Sequence, residues 1–145
     1  MPFTPGLYVI RSVNDRSLIG RRIHEDRSLN PKAIVKHPEN ASNDRGLWEV
    51  TSTPDPDRYI LLNKSAHTTN VGDLVMAVLL QVPPPEEWVI EPAPQSGPNR
   101  YRILNSDKNA GWLAPEGPPD QHVAIRPGNN DDPAFVFEIL PQDDD

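Results

Sequence analysis

Residues 24–32 read His-Glu-Asp-Arg-Ser-Leu-Asn-Pro-Lys, and within them Arg27 is followed by Ser28, a small residue that is not proline. A trypsin-like serine protease seats Arg or Lys on a carboxylate at the base of its primary pocket and needs an extended segment with an unhindered residue after the bond it attacks. Pro31 fixes its own φ and biases Asn30 toward extended geometry, which lowers the freedom lost on binding. The side chains of Asn30, Glu25 and Asp26 are able to hydrogen-bond backbone inside the stretch and stiffen it. Asp26 also stands next to the arginine, where it competes for the guanidinium. Leu29 completes the segment Glu25–Asp26–Arg27–Ser28–Leu29–Asn30–Pro31 as a candidate protease-binding loop. A loop of this kind inhibits as a substrate that cannot leave. Pre-organisation lowers the entropy cost of binding, and a held new amine religates faster than water hydrolyses the acyl-enzyme.

Other basic residues precede small ones at Arg16-Ser17, Arg45-Gly46, Lys64-Ser65 and Lys108-Asn109, with Lys64 the secondary candidate. Arg126-Pro127 is excluded, because proline after the bond blocks cleavage. Arg27 is preferred because its stretch is an inserted connection with a proline brace.

Other chemistries find no support. The chain has no cysteine, which removes disulfides, thiol catalysis and thiolate metal sites. His24, His37, His67 and His122 stand apart, with no His-Glu-x-x-His pair and no nucleotide-binding glycine loop. Glu86-Glu87 sits beside prolines and reads as solvated charge. The segment "PGNNDDP" (127–133) offers oxygen ligands but lacks the distal glutamate of a helix–loop–helix calcium site. No enzyme activity, cofactor or metal is expected. The net charge of −7 and isoelectric point near 5.0 argue against a nucleic-acid partner, which demands a basic face. The opening "MPFTPGLYVI" lacks a leader's basic and apolar regions, and no segment approaches the roughly 20 apolar residues that span a bilayer. A monomeric cytoplasmic protein without membrane contact is the expectation.

The elements that must position Arg27 come from repetition. "GLYVIRSVNDRSLIG" (6–20), "DRYILLNKSAHTTNVG" (57–72) and "NRYRILNSDKNAGWLA" (99–114) each open with a tyrosine-led apolar strand, cross a polar turn and end in a shorter apolar strand. Each continues through a third run, "AIVK" (33–36), "LVMAVLL" (74–80) and "HVAI" (122–125), and closes on "LWEV" (47–50), "EWVI" (87–90) or "FVFEIL" (135–140). The 18 prolines punctuate the joins, and no long helical period is present. Twelve strands in three copies of four predict an all-β β-trefoil, one domain over 1–145 with copies at 6–53, 57–92 and 99–141 and an acidic tail at 142–145. Trp48, Trp88 and Phe137 recur and belong to the core. Trp112 has no counterpart in the other copies and is expected to be partly exposed.

The copies differ in length. From leading to closing aromatic they run 40, 29 and 36 residues, and the excess falls between the second and third strands. The first copy holds "HEDRSLNPK" there, whereas the second needs almost nothing. Loops on a rigid β scaffold are where binding residues concentrate.

With the "GLYVIRS" opening, three tyrosine-led copies, no cysteine and this long connection, the whole chain resembles the mushroom β-trefoil protease inhibitors, the mycocypins and above all the cospin-type serine protease inhibitors. The resemblance implies a small fungal defence protein that inhibits trypsin-like serine proteases through the connection between its second and third strands. Carried over to this sequence, that puts Arg27 in the primary pocket with Ser28 after it. Relatives that inhibit papain-type proteases use glycine-bearing loops. The turn "VNDRS" has no glycine, so that activity is not implied. Others inhibit legumain through an asparagine, for which Asn70 in "HTTNVG" is the candidate here. A carbohydrate-binding module using Trp112 or His67 is the alternative from a different class, since β-trefoils host many functions.

Overall fold

The computed structural model describes residues 4–22, 24–81, 83–128 and 132–142. Among them lie twelve strands: β1 (Gly6–Ser12), β2 (Leu18–Arg21), β3 (Lys32–His37), β4 (Leu47–Ser52), β5 (Arg58–Asn63), β6 (Ala66–Val71), β7 (Leu74–Val78), β8 (Trp88–Pro92), β9 (Arg100–Leu104), β10 (Gly111–Leu113), β11 (Ala124–Arg126) and β12 (Phe137–Pro141). The helical content of the described residues is three short 3₁₀ turns at Asn43–Gly46, Pro94–Ser96 and Pro133–Phe135.

All pairings between strands are antiparallel, and six strands close on themselves in the order β1, β4, β5, β8, β9, β12 and back to β1. Closure leaves these strands no free edge. The other six form the pairs β2–β3, β6–β7 and β10–β11. These are joined side by side through β3–β7, β7–β11 and a single Val35–His122 bridge.

Strands with one face on the core alternate apolar and polar residues, whereas β3 is buried along its whole length. In β1, Tyr8, Ile10 and Ser12 are buried while Val9 and Arg11 are only half covered. The period of two is what a sheet with one face on a core requires. Trp48, Trp88 and Phe137 reach that core fully buried, as the pattern predicted.

Trp112 corrects the sequence reading: it is 0% exposed and lies at the centre of the core. Its ring stands 5.5 Å from Trp48, 5.4 Å from Trp88 and 6.0 Å from Phe137. It also has counterparts. β2 buries Ile19 and β6 buries Thr68 on the strand that precedes each connection, and β10 buries Trp112. One large ring fills the axis where the others are smaller. Trp48 Nε1 donates to Ile19 O at 2.7 Å and Trp88 Nε1 to Thr68 Oγ1 at 3.0 Å, so those smaller neighbours also serve the indoles.

Two strand boundaries also differ from expectation. β11 begins at Ala124 rather than His122, because the chain before it bonds to β3 instead of β10: Asp120 N donates to Lys36 O, Lys36 N to Gln121 O and Val123 N to Ile34 O. β7 stops at Val78, leaving Leu79 and Leu80 exposed. The "PGNNDDP" segment and the acidic tail fall partly outside the described residues, at 129–131 and 143–145.

The connections revise the symmetry argument. β2–β3 is joined by ten residues (22–31) and β6–β7 by two (72–73), but β10–β11 is also joined by ten (114–123). The short connection is the odd one out.

Candidate functional site

The β2–β3 connection leaves the sheet from a fixed base. Buried Asn63 accepts Arg21 N on Oδ1 at 3.0 Å and donates from Nδ2 to Leu47 O at 2.9 Å. The Arg21 guanidinium then grips Glu25 through both carboxylate oxygens, Nε to Oε2 at 2.9 Å and Nη2 to Oε1 at 2.6 Å. The hydrogen bonds and charge of Arg21 hold the Glu25 carboxyl below the usual carboxylate range despite partial burial.

Beyond Glu25 the chain bends through residues 27–30 around the Asp26 side chain. Asp26 Oδ1 accepts Ser28 N at 3.0 Å and Ser28 Oγ at 2.6 Å, and Ser28 Oγ accepts Asn30 N at 3.2 Å. These are the local side-chain turns by which Asp and Ser replace a backbone ladder. Lys32 closes the structure from the first position of β3. Its side chain is 5% exposed, and Nζ lies 2.5 Å from Asp26 Oδ1, 3.2 Å from Asp26 O and 3.4 Å from Ser28 Oγ. The Lys32 and Ser28 hydrogen bonds lower the Asp26 carboxyl from 3.8 to about 2. Asp26 itself is exposed to water, so this measures a local preference for the ionised form and not a large contribution to stability.

Arg27 is thereby left alone. It is exposed, and among the described residues its guanidinium makes no hydrogen bond or ion pair. Both neighbouring carboxylates are occupied elsewhere, Asp26 on Lys32 and Ser28, and Glu25 on Arg21. The competition expected from Asp26 does not arise. Leu29 is exposed beside Arg27, while Pro31 is half covered where the chain re-enters the sheet. Stiffening comes from Asp26 and from the Ser28 hydroxyl. Glu25 acts on a side chain, not on backbone, and Asn30 takes part through its N–H.

Other basic–small pairs stand in different surroundings. Arg16, Lys64 and Lys108 have φ of 65°, 50° and 60°, and Ser65 follows at 68°. These are left-handed turn residues at hairpin tips. Arg45 lies in a 3₁₀ turn and is followed by buried Gly46. Asn70 is in β6 opposite Val75, where its Oδ1 accepts Asp73 N at 2.9 Å. His67 Nε2 is 3.1 Å from Pro83 O. Trp112, buried in the core, offers no face for a sugar to stack on.

Lys32 as a brace went unread in the sequence. Its signal was there: "KAIVK" puts a lysine at each end of an apolar run, both on the face of Ile34 by the period of two.

The chain belongs to the peptidase inhibitor I66 family, whose model matches residues 1–138. A serine protease inhibitor of Lentinula edodes is 35% identical over 141 residues, covering 93% of this chain and 95% of that one. Among solved structures, a proteinase inhibitor from Coprinopsis cinerea superposes with a TM-score of 0.85 at 29% identity, over 97% of this chain and 99% of that chain. The Macrolepiota procera ricin B-like lectin, solved with lactose, gives 0.75 at 17% identity over 98% and 100%, a likeness of fold alone. Protease inhibition is the activity this family carries, and a protease is its partner. No helix among the described residues is long and apolar enough to cross a membrane.

Proposed function

We propose that the protein is a single β-trefoil domain of three four-stranded units that inhibits trypsin-like serine proteases by inserting the β2–β3 connection into the active site. Arg27 enters the acidic primary pocket, and the bond to Ser28 lies at the catalytic serine. The observation that carries this reading is the freedom of Arg27: an exposed guanidinium that follows two carboxylates, both of them engaged elsewhere. Ionic partners within the loop would have to be broken before binding, and here there is nothing to break. Lys32 holds Asp26 O on one side of the bond and Ser28 Oγ on the other. After acylation both ends would stay close, and return of the amine would outrun water. Arg16, Lys64 and Lys108 sit at the tips of tight hairpins with positive φ, a backbone that Arg27 does not share. The serine class agrees with the name of the Lentinula edodes relative.

The test is trypsin inhibition by wild type, Arg27→Ala and Lys64→Ala. Loss of a central buried arginine anchor removes several kcal/mol of binding, so Arg27→Ala weakens inhibition about 10³-fold or more. Lys64→Ala stays within about twofold of wild type. Full potency in Arg27→Ala overturns the assignment.

A further inference from the structure

The β10–β11 connection repeats the construction of the β2–β3 connection around a different residue. Its second and fourth positions are Pro115 and Gly117, with Glu116 between them. Lys36, fully buried near the other end of β3, donates from Nζ to Pro115 O at 2.5 Å and Gly117 O at 3.3 Å. It pairs with Asp15 Oδ2 at 2.5 Å. Burial would raise the Asp15 carboxyl, but the hydrogen bonds from Lys36 and Ser17 outweigh it and hold it low. In each long connection, then, one lysine of β3 grips the chain on both sides of a single residue: Asp26 and Ser28 around Arg27, Pro115 and Gly117 around Glu116.

Glu116 is exposed, and among the described residues its side chain has no hydrogen bond or ion pair. A glycine follows it, and Pro115, Pro118 and Pro119 limit the freedom of the segment. Gly117 has a φ of 130°, a backbone that side-chain-bearing residues rarely adopt, so the loop conformation favours glycine after Glu116. The far half of the connection is fastened to β3 by the backbone bonds of Asp120, Gln121 and Val123.

We propose that the β10–β11 connection is a second substrate-like loop, which presents Glu116 to a serine protease that prefers glutamate in its primary pocket. The protease serine adds to the Glu116 carbonyl carbon, the C–N bond to Gly117 breaks, and the serine proton passes through the protease base to the Gly117 amine. Lys36 holds carbonyls on both sides of that break. The amine therefore remains beside the ester, attacks it, restores the peptide and frees the serine. The inference rests on the same mode of action as the Arg27 loop but on separate residues and a separate protease.

The experiment assays a glutamate-specific endopeptidase and trypsin in parallel against wild type, Arg27→Ala and Glu116→Ala. Wild type and Arg27→Ala should inhibit the glutamate-specific enzyme equally, and Glu116→Ala at least about 100-fold more weakly. The exposed Glu116 side chain has no hydrogen bond or ion pair among the described residues, so its variant keeps its trypsin inhibition, which also reports that it is folded. Absence of inhibition by wild type, equal potency in Glu116→Ala, or rapid turnover at Glu116–Gly117 without inhibition overturns the second loop and leaves the Arg27 reading intact. Trypsin inhibition that survives Arg27→Ala overturns the first loop whatever Glu116 does.

Discussion

The β2–β3 and β10–β11 connections have the same length and hang from the same strand, yet they are held by different forces. The first rests on side chains. Asp26, 72% exposed, organises its turns and takes the Lys32 ammonium. The second rests on backbone bonds to β3 and on Lys36, whose side chain is 0% exposed. The β6–β7 connection needs neither, since Gly72 and Asp73 at φ of 61° and 63° turn the chain in two residues. A closed β scaffold tolerates long connections at little cost in closure free energy, but it does not organise them. Each long one here has brought its own cation beneath it.

This comparison can be broken in the core from which both connections rise. Trp112 precedes 114–123 and packs on Trp48 and Trp88, so Trp112→Ala should cost about 3–5 kcal/mol. Denaturant unfolding measures it, and both connections should lose protection together. A loss under 1 kcal/mol would mean the aromatic centre is not what supports them.

Lys36→Met separates the two regions. It leaves Asp15 and two carbonyls without their cation, at a cost of about 2–4 kcal/mol. Hydrogen exchange should accelerate across 114–123 and leave 22–31 at its wild-type rate. Equal acceleration in both would erase the distinction between them.

Lys32→Met acts on the other side. The fold loses little, but trypsin should hydrolyse the Arg27–Ser28 bond about tenfold faster, because the new amine is no longer kept near the acyl-enzyme. Unchanged persistence of the complex would mean that Asp26 and Ser28 hold the loop without the lysine.

The smallest effect is in pH. The Asp26 carboxyl is lowered from 3.8 to about 2 in the folded protein. Whatever it contributes is therefore complete above about pH 4 and is lost as pH falls through about 2. An NMR titration of the Asp26 side chain should show a midpoint near 2 in wild type and return to the ordinary carboxylate range in Lys32→Met. A wild-type midpoint near 3.8 would contradict the brace.

Much of this was legible in the sequence. Recurrent aromatics marked equivalent strands, since a strand that closes over a common core needs a large apolar residue at a fixed register. Arg27 stood out by residue type and by a connection that reads as an insertion, although the structure gives the β10–β11 connection the same length. What the sequence hid was tertiary. Trp112 reads as a stray aromatic beside a glycine, because nothing local tells which strand carries its side chain to the axis. The 114–123 connection reads as a proline-rich join, because its partners lie on β3, more than 75 residues away. Lys32 reads as the last residue of the loop and Lys36 as the polar end of a strand, since burial of a lysine depends on carbonyls and carboxylates that other segments supply.

The central claim is that Arg27 occupies the protease's primary pocket, and the bond that trypsin cuts reports it most directly. Mass spectrometry of the complex after prolonged incubation at mildly acidic pH should find one scission, Arg27–Ser28, in equilibrium with intact inhibitor. Scission first at Arg16, Lys64 or Lys108, with Arg27–Ser28 untouched, would contradict the account.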